Sequence, residues 1–421
     1  HRVATLWQKA AIALCLQVLG IAVAYLMQVL LARWMGVEQY GVYEYVISIG
    51  TFLGFLAGLG LPNCLLRYIP KYSVGEDWGK LRGIIWGSWR YVFLSGICLA
   101  VVSVVFLLGW ERYGANNIDL NSFLLGMVLI PLWALARHQR EMSRGIKLMN
   151  LAYLPTIVFP LLAIAGGFYY RQDLSSTGAI AIVAASLLLV LTSQLLFFAR
   201  QLPAKCSSEA PIYLRQEWFA VALPLLFNDS AFVLLSQTDT IMTGAILGTF
   251  QVGIYGAAFK TAAGVSFVIL HSRLEYAGLQ SLTSTVARWM FYPTLAFALV
   301  LILFGDRVLG LFGAEFVAAR WSMTILILGQ LVNVGAGSVG YLMEMTGHHR
   351  QCAMVLGCSA MLNLLLNAIL IPLWGILGAA IATATTMALW NIWLHHLVVK
   401  YLGVKPSIVS AILSLQGNSR R

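Results

Sequence analysis

The sequence is poor in charge. Asp, Glu, Lys and Arg make up 10% of its 421 residues, against about 25% in an ordinary soluble domain. It also lacks long polar connections. The longest, about 67–83 and 200–217, are too short to fold alone, so any activity must lie in the apolar part or at its two faces. Six cysteines are present (Cys15, Cys64, Cys98, Cys206, Cys352 and Cys358), none in a CxxC pair. Five lie in or beside apolar stretches, which fits small packing residues rather than a zinc or dithiol motif. His348-His349 and His395-His396 have no Cys or carboxylate cluster beside them, so no metal site is expected.

Hydrophobic residues fill the space that charge leaves, at 60% and a mean hydropathy of +0.82. Twelve apolar stretches occur near 10–31, 45–66, 84–109, 122–142, 150–170, 176–199, 218–247, 253–276, 288–305, 321–344, 351–372 and 375–399. Each is close to the length of about 20 residues that crosses a bilayer core. The first is too long for the h-region of a signal peptide. Of the 27 Lys and Arg, only Arg33, Arg112, Arg171, Lys260, Arg307 and Arg320 fall nearest the odd-numbered connections. The other 21 gather at the termini and even-numbered connections. Cations stay in the cytoplasm. The expectation is therefore an all-α, multi-pass protein of the cytoplasmic membrane with both termini inside. The same rule accounts for the net charge of +11, so no nucleic-acid partner is expected.

The chain repeats itself. Gly36-x4-Gly41-x-Tyr43 lies between spans 1 and 2, and Gly248-x4-Gly253-x-Tyr255 between spans 7 and 8. Glu141-Met142-Ser143-Arg144-Gly145 is echoed by Glu344-Met345-Thr346-Gly347, and Gly178-Ala179-Ile180-Ala181 by Gly378-Ala379-Ala380-Ile381. An even number of spans separates the copies, so they share one orientation, a parallel repeat. The expected organisation is a six-helix lobe at 1–200, a cytoplasmic linker at 201–217, a second six-helix lobe at 218–400 and a tail at 401–421. A tight outer turn needs positive φ, which Gly36, Gly41, Gly248 and Gly253 could supply. Tyr43 and Tyr255 are expected at the membrane interface. Gly50, Gly54 and Gly58 form a stripe that lets a neighbouring helix approach.

The run Leu31-Ala32-Arg33-Trp34-Met35-Gly36-Val37-Glu38-Gln39-Tyr40-Gly41-Val42-Tyr43, followed by Gly58-Leu59-Gly60-Leu61-Pro62 and Arg67-Tyr68-Ile69, resembles the opening of the polysaccharide-export, O-antigen (Wzx-like) flippases. These belong to the superfamily that also holds MATE exporters and lipid II flippases. Asp239-x2-Met242-x-Gly244 with Gly248 and Gly253-x-Tyr255 resembles the start of their second lobe, and Pro372–Ala380 their turn before span 12. The resemblance implies two six-helix bundles set in a V. It also implies outward flipping of a polyprenyl-diphosphate-linked oligosaccharide, with the bilayer, glycosyltransferases and a polysaccharide polymerase as partners. Many members carry two further spans; here the run Ile408–Leu415 is too short to be one. A MATE-like ion-coupled exporter is the alternative. A membrane glycosyltransferase or ligase is more remote, because Glu38, Glu111, Asp119, Asp173, Asp306 and Glu315 in the outer connections are scattered and unpaired. No enzyme and no cofactor is expected beyond a coupling H⁺ or Na⁺.

Ionisable residues inside spans are functional candidates by default: Asp229, Asp239, Lys260 and His271. Asp239 and Lys260 lie at matching depth on either side of the turn near residue 250. They can form an ion pair, or Lys260 can receive the substrate diphosphate when Asp239 releases it. Asp229, midway along span 7, is the candidate for ion coupling or for a plain helix contact. Arg67, Arg90, Arg137 and Glu44 lie near span ends, where they can snorkel or line a cavity. Asn333, in the polar, glycine-rich span 10 with Gly335, Gly337, Ser338 and Gly340, is expected to face away from lipid.

Overall fold

The computed structural model describes residues 2–112, 119–276, 283–337 and 339–403. Ser338 and the run Ile408–Leu415 lie outside them, as does the side chain of His271. The chain divides into two compact units, His1–Val233 and Leu234–Arg421. The division falls inside a helix rather than in the 201–217 stretch. The first unit holds α1 (Arg2–Ala57), α2 (Leu61–Val74), α3 (Trp78–Arg112), α4 (Leu120–Met127), α5 (Leu129–Gly145), α6 (Met149–Tyr153), α7 (Pro155–Tyr169), α8 (Ser176–Gln201), α9 (Ala204–Ser208) and the first part of α10 (Arg215–Leu247). The second holds the rest of α10, then α11 (Thr249–Tyr276), α12 (Thr283–Leu303), α13 (Gly305–Gly310), α14 (Arg320–Gly335), α15 (Val339–Met345), α16 (His349–Trp374) and α17 (Ile376–Leu402). Among the described residues the elements are all helical, as expected where no water can satisfy a backbone outside its own segment.

Among the described residues, the twelve expected spans lie largely on helices. Nine stretches of the described residues are long and apolar enough to cross a membrane, and the protein is a multi-pass membrane protein. One of them, Cys15–Ala57, is 43 residues long. As straight helix it would extend about 65 Å, twice a hydrocarbon core. Gly36, at φ 76° and ψ 169°, breaks it in two. Gly248, at φ 91°, separates α10 from α11 in the same way. Gly41 and Gly253 are helical and buried and do not take positive φ, so one glycine per turn makes each corner. Tyr43 and Tyr255 do not face lipid: both are fully buried within the protein.

Several spans are broken internally. Span 2 stops at Ala57, turns through Leu59 (φ 52°) and Gly60 (φ 71°), and restarts with Pro62 in the first turn of α2, where a missing N–H costs nothing. Gly58 therefore belongs to the turn, not to a stripe. Gly54 does serve close approach, since a Cβ there would meet Trp133 Cβ at 2.9 Å and Ile130 O at 3.1 Å on α5. Span 4 is divided at Val128, and span 10 after Gly335, with Gly337 at φ 81°.

The 201–217 stretch is not slack. Glu209–Leu214 lies extended along α3, whose Gly79, Gly83 and Gly87 recur every four residues and so share a face. Ile212 N donates to Gly79 O at 2.9 Å, Glu209 accepts from Gly79 N at 3.0 Å, and Arg82 donates to Glu209 O at 2.7 Å. A Cβ on Gly83 would sit 1.9 Å from Ile212 O. Only glycine lets this strap lie so close to the helix.

Candidate functional site

The first unit builds an ion pair inside its membrane-spanning helices. Gly60 has no Cβ, and one would stand 2.0 Å from Ala222 O, so the α1–α2 corner packs directly on α10. That contact brings Asn63 to Asp229, to which its Nδ2 donates a short hydrogen bond. From α5, Arg137 donates Nη2 to the same carboxylate oxygen at 3.3 Å, and its guanidinium lies 4.6 Å from the centre of the Phe55 ring. The pair is neither sealed nor open: the Arg137 and Asp229 side chains are 29% and 28% exposed. A guanidinium carries five N–H donors, and its partial exposure leaves some of that edge open.

The second unit builds a carboxylate that no cation pairs among the described residues. Asp239 on α10 is fully buried. Its Oδ2 accepts from Tyr255 Oη at 2.8 Å and, in a short bond, from Thr383 Oγ1. Its Oδ1 accepts from Asn367 Nδ2 at 2.7 Å. Asn363 extends the network, donating to Thr383 Oγ1 at 3.3 Å and Thr386 Oγ1 at 3.2 Å and accepting from Asn367 at 3.0 Å. Among the described residues every partner of Asp239 is uncharged, so the expected pairing with Lys260 is replaced by neutral donors from α11, α16 and α17. Among the described residues, Asn367 Oδ1 and, one turn along α10, Thr243 Oγ1 are buried without a partner. Unpaired buried oxygens beside an uncompensated carboxylate are costly. The carboxylate, amide and hydroxyl oxygens here suit a proton or a hard cation rather than a transition metal.

The structure thus joins two residues that the sequence treated separately, Asp229 and Arg137, and divides Asp239 from Lys260, which sits half-buried on α11. Arg67 and Arg90 are exposed, Arg67 over the Tyr68 ring at 5.9 Å. Asn333 donates to Gln330 at 3.5 Å. Asn63, Asn363, Asn367, Thr383 and Thr386 were missed. Asn363/Asn367 and Thr383/Thr386, at helical spacings of four and three, are the signal that could have found the second cluster.

A family model described as polysaccharide biosynthesis protein matches residues 6–272. The chain belongs to this family. One relative, an uncharacterised membrane protein of Methanocaldococcus jannaschii, is 21% identical over 94% of this chain and 85% of its own length. A Haloferax volcanii protein described as a probable low-salt glycan biosynthesis flippase is 27% identical over 43% of each chain. Solved structures share the fold. An inward-facing MATE-family multidrug transporter of the MOP superfamily matches with TM-score 0.71 and 13% identity, over 94% of this chain and 95% of its own. The lipid II flippase MurJ, in an inward closed conformation, matches with TM-score 0.67 and 17% identity, over 92% and 87%. The family match covers the first unit from residue 6 onward and reaches into α11, so both polar clusters have members within it.

Proposed function

We propose that the protein is a flippase that moves a polyprenyl-diphosphate-linked oligosaccharide, the repeat unit of a polysaccharide, outward across the cytoplasmic membrane by alternating access, with both termini cytoplasmic. The partly exposed Arg137–Asp229 pair carries this reading. A diphosphate must leave water to cross, and a fixed guanidinium in a low-dielectric setting offsets that loss through paired N–H···O bonds. Asp229 holds Arg137 between substrates, so the cation is never buried alone. Lys260 is a second candidate cation on the route, and Arg67, Arg90 and Asn333 lesser ones. Coupling passes from Asp229, which is already paired, to Asp239, whose oxygens and the unpartnered Asn367 Oδ1 would hold an H⁺ or Na⁺. The Haloferax relative's description as a glycan flippase and the lipid II flippase fold support the substrate class. The family's biosynthetic description fits glycosyltransferases upstream and a polymerase downstream.

The test is reconstitution. Proteoliposomes carrying a fluorescent polyprenyl-diphosphate glycan should show protein-dependent transfer between leaflets. Arg137→Gln should slow it about 100-fold, the value of one charge-assisted contact at the upper end of its range, while Asp229→Asn should retain it. Export of an organic cation such as ethidium, with no transfer of the glycolipid, would replace this reading with the MATE-like exporter.

A further inference from the structure

We infer that Arg140 and Arg144 form a second anion site on α5, which receives the diphosphate headgroup before it reaches Arg137; this rests on the flippase reading above. Arg137, Arg140 and Arg144 follow a spacing of three and four and share one helix face. Arg144 stands one residue from the end of the span Leu120–Gly145, and Arg137 eight residues in, a depth of about 12 Å. The arginines therefore run from the membrane face to the ion pair.

Their support is built for an anion. Glu141 accepts from Arg140 Nε at 3.0 Å and from Arg144 Nη1 at 2.7 Å. Its side chain is 3% exposed, while those of Arg140 and Arg144 are 44% and 37% exposed. The carboxylate lies beneath and the cations face outward. It fixes one edge of each guanidinium and leaves the remaining N–H donors pointing away, already ordered. Two arginines share one carboxylate, so the cluster keeps a net positive charge. Arg137 feels Arg140 and Glu141 as well as Asp229, so an anion held at the first pair is within electrostatic reach of the next. A simple structural triad would need neither the surplus cation nor the outward guanidinium edges.

The chemistry recognised is phosphate, which a polyprenyl diphosphate and a bulk anionic phospholipid both carry. The full chain should be placed in phosphatidylcholine nanodiscs and titrated with polyprenyl diphosphate, polyprenyl monophosphate or phosphatidylglycerol, with binding read by native mass spectrometry. Polyprenyl diphosphate should bind in preference to the other two. Arg140→Gln with Arg144→Gln should weaken it about 30-fold, and Arg140→Lys with Arg144→Lys, which keeps charge but loses the fork, by less. Glu141→Gln should tighten it by removing the competing charge. In flipping assays the double Gln variant should be slow at low substrate and recover at saturation. If that variant does not fold, the Lys pair and Glu141→Gln carry the test. Wild-type affinity in the folded double Gln variant, alongside normal wild-type flipping, would overturn the site and leave the flippase reading standing. Equal binding of phosphatidylglycerol, lost with the same substitutions, would overturn its assignment to the diphosphate. A wild-type chain that neither binds nor flips the diphosphate lipid would instead sink the flippase reading itself.

Discussion

Replacing Asp239 with Asn should separate folding from coupling. The side chains are nearly the same size, so no cavity opens. Oδ2 can remain an acceptor for Tyr255 and Thr383. The new amide nitrogen takes the place of Oδ1, which now accepts from Asn367 Nδ2. Two donors would then face each other. Asn367 can resolve this by turning its amide, because its Oδ1 has no partner to lose. The turn gives up its bond to Asn363, a net cost of about 1 kcal/mol. Asp239→Ala should cost more, about 3–6 kcal/mol, since three donors lose their acceptor in a buried site. Cation binding should respond quite differently. A site saturated at about a hundred times its Kd stabilises the folded state by about 2.7 kcal/mol. The Asn variant, with no charge to balance, should lose that increment. Thermal unfolding of the detergent-solubilised chain should be followed in a Na⁺ series at fixed pH and a pH series without Na⁺. The wild type should respond in one series, which identifies the ion, and Asp229→Asn should respond like it. An Asp239→Asn variant that keeps the full cation response would refute the reasoning and return Asp239 to a packing role.

Four further outcomes are expected. Gly83→Val should destabilise the first unit by about 2 kcal/mol despite its exchange of glycine for a less flexible residue, because its Cβ would displace the Glu209–Leu214 strap; urea unfolding measures it. Burial pushes the Cys206 thiol up, so less thiolate is present at neutral pH than for an ordinary thiol. Maleimide labelling should be slow at pH 7, rise with pH, and become fast in Gly83→Val; fast labelling of the unsubstituted chain would contradict the docked strap. Tyr255→Phe should cost about 1.5–3 kcal/mol, the value of a hydrogen bond to a charged acceptor, measured by thermal unfolding. Cysteine introduced at Asp173 should react with an impermeant reagent from outside intact cells and cysteine at Glu76 should not, if both termini are cytoplasmic.

The spans were legible because hydropathy sums over a whole helix, and a membrane helix must be apolar along most of its length. The corners at Gly36 and Gly248 were legible because each sits between spans in a repeated pattern. The breaks at Gly58–Gly60, Val128 and Gly337 were not, because they interrupt apolar stretches without changing their average. The burial of Tyr43 and Tyr255 was not legible either. Tyrosine is at home in the interface, but Tyr255 gains more from the Asp239 carboxylate inside the bundle, and Tyr43 packs against the Tyr40 ring at 5.9 Å. Depth along the chain suggested pairing Asp239 with Lys260. Depth alone says nothing of helix rotation, and the rotation turns Asp239 toward α16 and α17. Arg137 and Asp229 are 92 residues apart, and only the packing of α2, α5 and α10 brings them together.

The docked strap has a consequence for how the chain is made. The face of α3 at Gly79, Gly83 and Gly87 stays bare, and Arg137 lacks its Asp229 partner, until residues 202–233 have left the ribosome. The sixth span is therefore not the point at which the first half of the protein is finished. A gene fragment ending at Arg200 should yield a half-built product that membrane proteases clear, while one ending at Val233 should accumulate.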